Sequence, residues 1–292
     1  MNLSKQSVLM ALAILIITSF NACKEDDDID ESVSPSKKLG IAPVKTYTYT
    51  NIESDYTETY TFNYAANGQV TGIESDICSM VSNPLSISYQ DGRYSYEPEN
   101  VRIYNITRNE AGCATSFIYE WNISDYFEET HGVEYDTLSY DSDNQLISIK
   151  MTDYWMDAGD DEADVYIYNL TWENGDIVEI SSIVEISSPE YEDEDMRTLK
   201  KIEYSDIENN GIFFQNVPGF PICQSQLGLV GRPTRHLVTK ATDYSTNHGI
   251  QYVTPTTYTY EFDEKGRVIQ VTNSTYNPAK ARPVVKIETY TY

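Results

Sequence analysis

Tyr60-Thr61-Phe62-Asn63-Tyr64-Ala65-Ala66-Asn67-Gly68-Gln69-Val70-Thr71-Gly72-Ile73 is the stretch that decides the fold. Tyr60, Phe62 and Tyr64 fall on one face of a pleated strand and Thr61 and Asn63 on the other, because successive side chains alternate. Ala66, Asn67 and Gly68 then turn the chain, and Val70 and Ile73 resume the apolar positions. The arrangement returns twice. Tyr258, Tyr260 and Phe262 precede Lys265-Gly266 and then Val268 and Val271, while Tyr140 precedes Asn144 and then Leu146 and Ile149. In each copy an aromatic stands four residues before the Gly or Asn, with aliphatics two and five after it. Gly or Asn supplies the positive φ that a tight hairpin needs.

Two shorter hairpins extend the pattern. Tyr89-Gln90-Asp91-Gly92-Arg93-Tyr94 and Trp172-Glu173-Asn174-Gly175-Asp176-Ile177 carry the Asp-Gly and Asn-Gly pairs of two-residue type I′ turns. The turns recur at intervals of about 20 to 35 residues, whereas a solenoid holds one period. No segment shows a sustained 3.6-residue period. The expected fold is therefore all-β: a large antiparallel meander of β-hairpins, its curved sheet tending to an open or partial barrel. Residues 209–235 break the pattern with Pro218, Pro221, Gly228, Gly231 and Pro233, and predict a short helix around Gln224 to Leu229 or a plug-like loop.

The N-terminus reads as an address. An unbroken apolar run from Val8 to Ile17 follows Lys5, and Ala22 precedes Cys23. Such a run suits a secretory signal, since a spanning helix needs about 20 residues. Ala22-Cys23 resembles the lipobox of bacterial lipoproteins, with Phe20 and Asn21 departing from its usual aliphatic and small residues. The resemblance implies cleavage before Cys23 and a lipid on its thiol. Lys24, Glu25, Asp26, Asp27 and Asp28 follow at once, and resemble the surface-export signal of some Gram-negative lipoproteins. The chain then divides into a signal peptide at 1–22, an acidic flexible linker at 23–45 and one β-hairpin domain at 46–292. The expected location is the outer membrane, facing the cell exterior, with the membrane as a partner through the lipid alone.

Charge narrows the partners. The chain has 46 acidic residues, 20 basic ones and a net charge of −26. Loss of Lys5 with the signal takes this to about −27. Such a chain lacks the basic footprint of a nucleic-acid binder. All 25 tyrosines follow the signal, many alternating with threonine: Tyr47 and Tyr49, Tyr56 and Tyr60, Tyr258 and Tyr260, Tyr290 and Tyr292. These residues fit a half-buried pleated surface, and a flat ring with a hydroxyl also suits a carbohydrate or protein ligand.

Catalytic signatures are missing from the sequence. His131, His236 and His248 are isolated, and there is no Gly-x-Ser-x-Gly elbow, His-Glu-x-x-His helix or phosphate-cradling glycine loop. Asp157, Asp160, Asp161, Glu162 and Asp164 cluster in one segment, and Glu190, Glu192, Asp193, Glu194 and Asp195 in another. Oxygen ligands of this kind hold Ca²⁺, but the spacing is not that of a calcium loop and solvated hairpin tips look the same. Zinc-ligand spacing is missing, so no metal and no cofactor is expected. Beyond Cys23 stand Cys78, Cys113 and Cys223. In an exported chain one pair can bridge, and Cys78 with Cys113 is the preferred pair, beside the alternative of three buried free thiols.

The Tyr-x-Phe/Tyr…Gly-x-Val hairpins resemble the tyrosine–aspartate (YD/RHS-like) repeats of large bacterial surface proteins. Tyr204-Ser205-Asp206 through Asn210-Gly211, Leu227-Gly228-Leu229-Val230-Gly231 and the closing Tyr258–Val271 hairpin resemble a bacterial surface lipoprotein family of unknown function described as having a porin-like fold. The resemblance implies a large antiparallel sheet curling toward a barrel, and brings no catalytic residues. Short strands and many charges at the polar positions favour a barrel standing in water over one spanning a membrane. The function expected is non-catalytic binding of a glycan or an envelope protein. A structural role in envelope assembly is the alternative, and a carboxylate-based hydrolase is a third reading.

Overall fold

The computed structural model describes residues 34–77, 85–90, 93–97, 101–124, 129–155, 163–185, 196–212, 225–247, 250–277 and 281–292. After one helical turn, α1 (Pro35–Lys38), come β1 (Thr46–Asn51), β2 (Tyr56–Tyr64), β3 (Val70–Ile77), β4 (Leu85–Gln90) and β5 (Arg93–Glu97). Then follow β6 (Val101–Arg108), β7 (Ala114–Ser124), β8 (Glu129–Tyr140), β9 (Leu146–Trp155), β10 (Ala163–Glu173) and β11 (Asp176–Glu185). The remaining strands are β12 (Met196–Glu208), β13 (His236–Asn247), β14 (Ile250–Phe262), β15 (Val268–Asn277) and β16 (Arg282–Thr291). Every neighbour pair is antiparallel, so the expected meander is present. It goes one step further than a partial barrel: β1 pairs with β2 through Tyr47–Tyr60 and with β16 through Tyr47–Tyr290, and the sheet closes.

The hairpin motif is a three-residue loop ending in a left-handed residue. In the first copy Ala65 N–H donates to Gln69 O at 2.8 Å and Gly68 N–H to Ala65 O at 2.9 Å, and Tyr64 pairs with Val70. The copies at 141–145 and 263–267 repeat these bonds, with φ of +85° at Gly68, +61° at Asn144 and +75° at Gly266. A fourth copy lies at 109–113, with Gly112 at φ +88°, Ala114 two residues on and Phe117 five on. Asn174 and Gly175 take φ of +55° and +89°, the type I′ geometry expected of Asn-Gly. The pair Gln90–Arg93 likewise leaves two residues between β4 and β5.

All these turns follow even-numbered strands and so share one end of the barrel. There the interior is filled. Leu227, Leu229 and Val230 from the β12–β13 connection are 0–2% exposed, beside inward Ile73, Ile103, Phe117, Ile149 and Val268. The described part of the connection, 225–235, is thus plug-like; among the described residues of the expected helix only Ser225-Gln226 is helical, ended by Gly228 N–H donating to Ser225 O at 2.9 Å. Gly231 passes under Tyr140 so closely that a Cβ would sit 2.8 Å from Tyr140 Cε1.

The linker boundary needs correction. Residues 34–45 belong to the folded unit, which begins at Ser34. Leu39, Ile41 and Val44 are 4%, 4% and 1% exposed, and Ala42 N–H donates to Gly211 O at 2.9 Å. The Ser, Pro and Lys of this stretch read as linker, yet its three aliphatics seal the plugged end. Residues 1–33, including the signal, Cys23 and the acidic run, lie outside the described residues.

Of the cysteines in the expected pairing, Cys113 is a buried free thiol under Leu39 and Ile41, in the β6–β7 turn at the plugged end. Cys78 and Cys223 lie outside the described residues.

Candidate functional site

The wall has an inner face, which carries the core, and an outer one. On β1, β2 and β16 Tyr and Thr sort between them, whereas elsewhere Tyr135 and Tyr154 point out and Thr198 and Thr256 point in. Tyr47, Tyr49, Tyr56, Tyr60, Tyr258 and Tyr290 share the inward parity, while Thr46, Thr48, Thr50, Thr57, Thr59 and Thr61 point out. Thr48–Thr59 and Thr50–Thr57 form outer hydroxyl ladders at 3.1 and 3.3 Å. Glu203 and Lys240 pair on the outer face at 2.8 Å, and Glu179 stands opposite Lys201.

Near the plug, inward aromatics donate to the backbone of the preceding odd strand or, for Tyr64, of the segment just before it. Tyr64 bonds Val44 O at 2.7 Å, Tyr140 bonds Ala114 O at 2.8 Å and Trp172 Nε1 bonds Leu146 O at 2.7 Å. Tyr204 bonds Ile177 O at 2.8 Å, Tyr260 bonds Val238 O at 2.7 Å and Tyr292 bonds Val268 O at 2.9 Å. The bulges that follow the turns leave carbonyls without ladder partners, and these donors satisfy them. Burial holds the phenols of Tyr64, Tyr140, Tyr204 and Tyr260 above the usual range, so they remain donors. In the fourth copy Arg108 replaces the aromatic, and its Nη1 donates to Gly112 O at 2.8 Å and to Gly228 O of the plug at 2.6 Å.

Farther from the plug the inward face turns polar. Two groups of acids lie on opposite walls, since β9 stands eight places from β1 in the ring. On β16, β1 and β2 the acids are satisfied. Glu288 accepts from Tyr290 at 2.7 Å and from Asn273 at 3.3 Å, and Glu58 accepts from Tyr60 and, at 3.2 Å, from Tyr56. Lys286 Nζ lies 5.6 Å from the centre of the Tyr49 ring. Burial raises the Glu288 carboxyl, and its two hydrogen bonds oppose the rise.

On β8, β9 and β10 the acids face one another. Glu134, Asp153 and Asp164 are direct cross-strand partners in one row, and Asp136 sits in the next row toward the plug beside Met151 and Tyr166. Like charges directly opposite in a sheet are destabilising. Asp136 is 2% exposed and Asp153 8%, and the Oδ1 atom of each is buried without a hydrogen-bond partner. Burial, then the neighbouring carboxylates, push Asp136 well above the carboxylate range. Glu134 also rises, chiefly by burial. Asp153 is pushed up to about 6 by burial and by Asp164. Burial and the adjacent Glu134 carboxylate thus favour the protonated form of Asp136.

The other candidates resolve differently. His236 is paired with Asp176: its Nδ1 lies 2.7 Å from Asp176 Oδ2 and its backbone N–H donates to Asp176 Oδ1 at 2.8 Å. This pair ties the end of the plug to the β10–β11 turn, where Arg235 N–H also donates to Gly175 O at 2.8 Å. The side chains of His131 and His248 lie outside the described residues. So do Asp157, Asp160, Asp161, Glu162, Glu190, Glu192, Asp193, Glu194 and Asp195, leaving Asp164 as the described member of those clusters. Among the described residues no group of three His, Cys, Asp or Glu could hold a metal ion. The inward ladder of Glu134, Asp136 and Asp153 escapes a reading of local composition. Its signal is the alternation Glu134-x-Asp136-x-Leu138-x-Tyr140, which places two carboxyls in phase with core residues.

No family model matches the sequence, and no curated protein does. Solved structures do. A crystal structure of a porin-like protein from Bacteroides uniformis has a TM-score of 0.58 at 17% identity, covering 86% of this chain and 98% of that one. A porin-like protein from Bacteroides vulgatus has a TM-score of 0.56 at 12% identity, covering 85% and 98%. At these identities the likeness is one of fold: the chain has the architecture of the porin-like proteins.

Proposed function

We propose that the chain is an exported lipoprotein, anchored through Cys23 to the outer membrane and facing outward, whose barrel stands in water and binds a glycan on its inner wall without transforming it. One observation carries the reading: the barrel is plugged at one end, while polar, tyrosine-rich inward positions stay in contact with solvent at the other. Asp243 and Tyr252, both of inward parity toward that end, keep 43% and 47% exposure. Rings such as Tyr49, Tyr56 and Tyr166 offer stacking faces with hydroxyls for sugar edges.

The outer wall supports the aqueous setting. In hydrocarbon, a lysine at mid-strand costs about 2–4 kcal/mol, and this wall presents Lys150, Lys201 and Lys240 together with threonine ladders. Stable attachment by acyl chains requires two signals or chains, which diacylation of Cys23 supplies.

The test uses the chain without residues 1–22 and with Cys23→Ser, applied to a glycan array. Binding that Tyr56→Ala and Tyr166→Ala both abolish supports the reading. An empty array, or binding indifferent to both substitutions, refutes it. A constant envelope neighbour captured by crosslinking in cells, with an empty array, would replace it with an assembly role.

A further inference from the structure

Resting on the reading of the inner wall as a glycan site, we propose that the row Glu134–Asp153–Asp164, with Asp136 beneath it, is a subsite for a free ammonium group, so that the ligand is an amino sugar rather than a neutral or acidic one. The geometry separates this row from the other inward acids. Glu58 and Glu288 on the opposite wall have hydroxyl and amide donors. Asp136 and Asp153 each keep one oxygen that is buried and unpartnered, a state that costs about 1–3 kcal/mol in a neutral group and more in a charged one. A fold accepts such a cost where something else offsets it.

The groups facing the row are the Tyr119 ring position on β7, the four carboxyls themselves on β8, β9 and β10, and Tyr166 and Tyr168 on β10. The charges that act on Glu134, Asp136 and Asp153 are all negative: each is raised by neighbouring carboxylates as well as by burial. Lys200, an inward base on β12, is held by Asp243 at 3.4 Å, and Lys286 is on the far wall over Tyr49. A ligand ammonium supplies what the buried Oδ1 atoms of Asp136 and Asp153 lack: N–H donors, three of them on one compact positive centre. A metal ion demands several oxygens converging on one point, and the described residues form no such group. Two acceptors on adjacent strands, about 5 Å apart, suffice for an ammonium. Tyr166 and Tyr168 add ring faces to which a cation is attracted.

Partly buried Glu134 and Asp164 flank buried Asp153 in one row, and partly buried Tyr166 lies beside Asp136 in the next row toward the plug. The terminal torsion of an Asp is broad, so the Oδ1 atoms can turn toward the new donor. Binding favours the ionised carboxyls and therefore releases protons.

Calorimetric titration of the full mature chain tests this with three probes: a β-1,4 glucosamine tetramer, its N-acetylated counterpart and ethanolamine. Each is titrated at pH 6.5 in two buffers of different protonation enthalpy. The free-amine tetramer is expected to bind about tenfold or more tightly than the acetylated one, with proton release. Asp153→Asn and, independently, Glu134→Gln are expected to remove both the preference and the proton release. Should the two tetramers bind alike, the ammonium inference is overturned and the glycan reading stands. Ethanolamine binding with both tetramers silent supports the ammonium subsite and removes the glycan reading. No heat from any probe, or a preference that survives both substitutions, overturns the inference.

Discussion

Replacing Asp153 by Asn should flatten the pH dependence of stability between pH 4 and 7. A carboxyl whose folded-state value is raised is protonated more readily in the folded chain than in the unfolded one. Its stabilising contribution is fully present below the unfolded value and is lost as pH rises through the folded one. For Asp153 the window runs from the ordinary value of 3.8 to about 6. At about 1.4 kcal/mol per unit, the full swing is on the order of 3 kcal/mol. Screening by the surrounding polar groups reduces this to roughly 1.5 kcal/mol. In a domain of this size that corresponds to about 3–6 °C in Tm.

The chain as a whole also loses stability at high pH, because 46 acids repel one another. The comparison is therefore between wild type and Asp153→Asn, each melted at pH 4, 5, 6, 7 and 8 in 0.15 M salt. Wild type should fall more steeply than the variant between pH 4 and 7, and the variant should be the more stable of the two at pH 8. Parallel curves would refute the reasoning, for they would mean that Asp153 has the same proton affinity folded and unfolded and that its burial carries no cost.

Gly211→Ala should be among the most damaging single changes in the plug: its φ is +91°, and a Cβ would lie 2.6 Å from Gly40 O and 2.7 Å from Ala42 N. Backbone strain and overlap together cost about 2–4 kcal/mol, read as a lowered urea midpoint with unchanged slope. Tyr204→Phe deletes the donor to Ile177 O, held at 2.8 Å, and should cost about 1–2 kcal/mol in the same titration. Cys113 should resist alkylation in the native chain and react on unfolding, because it is 0% exposed and burial raises its thiol. Peptide mapping without reductant should find it unbridged.

Much of the fold is legible because its hairpins encode their own geometry. An aromatic, a left-handed Gly or Asn four residues later and an aliphatic two beyond that specify the loop, the bulge and the inward parity at once. The reading fails where chemistry replaces shape. Arg108 occupies the aromatic position of the fourth copy, and its role is fixed by two carbonyls, one of them Gly228 O more than a hundred residues away. No local pattern announces such a partner. Residues 34–45 fail for a related reason: polar composition dominated, and Leu39, Ile41 and Val44 acquire their burial only from the β6–β7 turn and the plug. Closure is likewise non-local, since it depends on Tyr47 meeting both Tyr60 and Tyr290.

The acid row is harder to read than either, and the cause is register. Glu134, Asp153 and Asp164 belong to three strands, and their alignment depends on the bulge between Ser139 and Tyr140. A slip of one residue in β9 would turn Asp153 outward and bring Thr152 or Tyr154 in, dissolving the row. Apolar burial holds β9 against that slip, because the same shift would expel Ile149, which is 0% exposed opposite Leu138. The core at the plugged end thus imposes an unfavourable juxtaposition of carboxyls on the middle of the barrel. A sequence under selection for stability alone could relieve it by placing Asn or Thr at 153 while leaving the register intact. That Asp153 stands inward with Glu134 and Asp164 pressed against it from the two neighbouring strands is the physical argument for a cationic occupant.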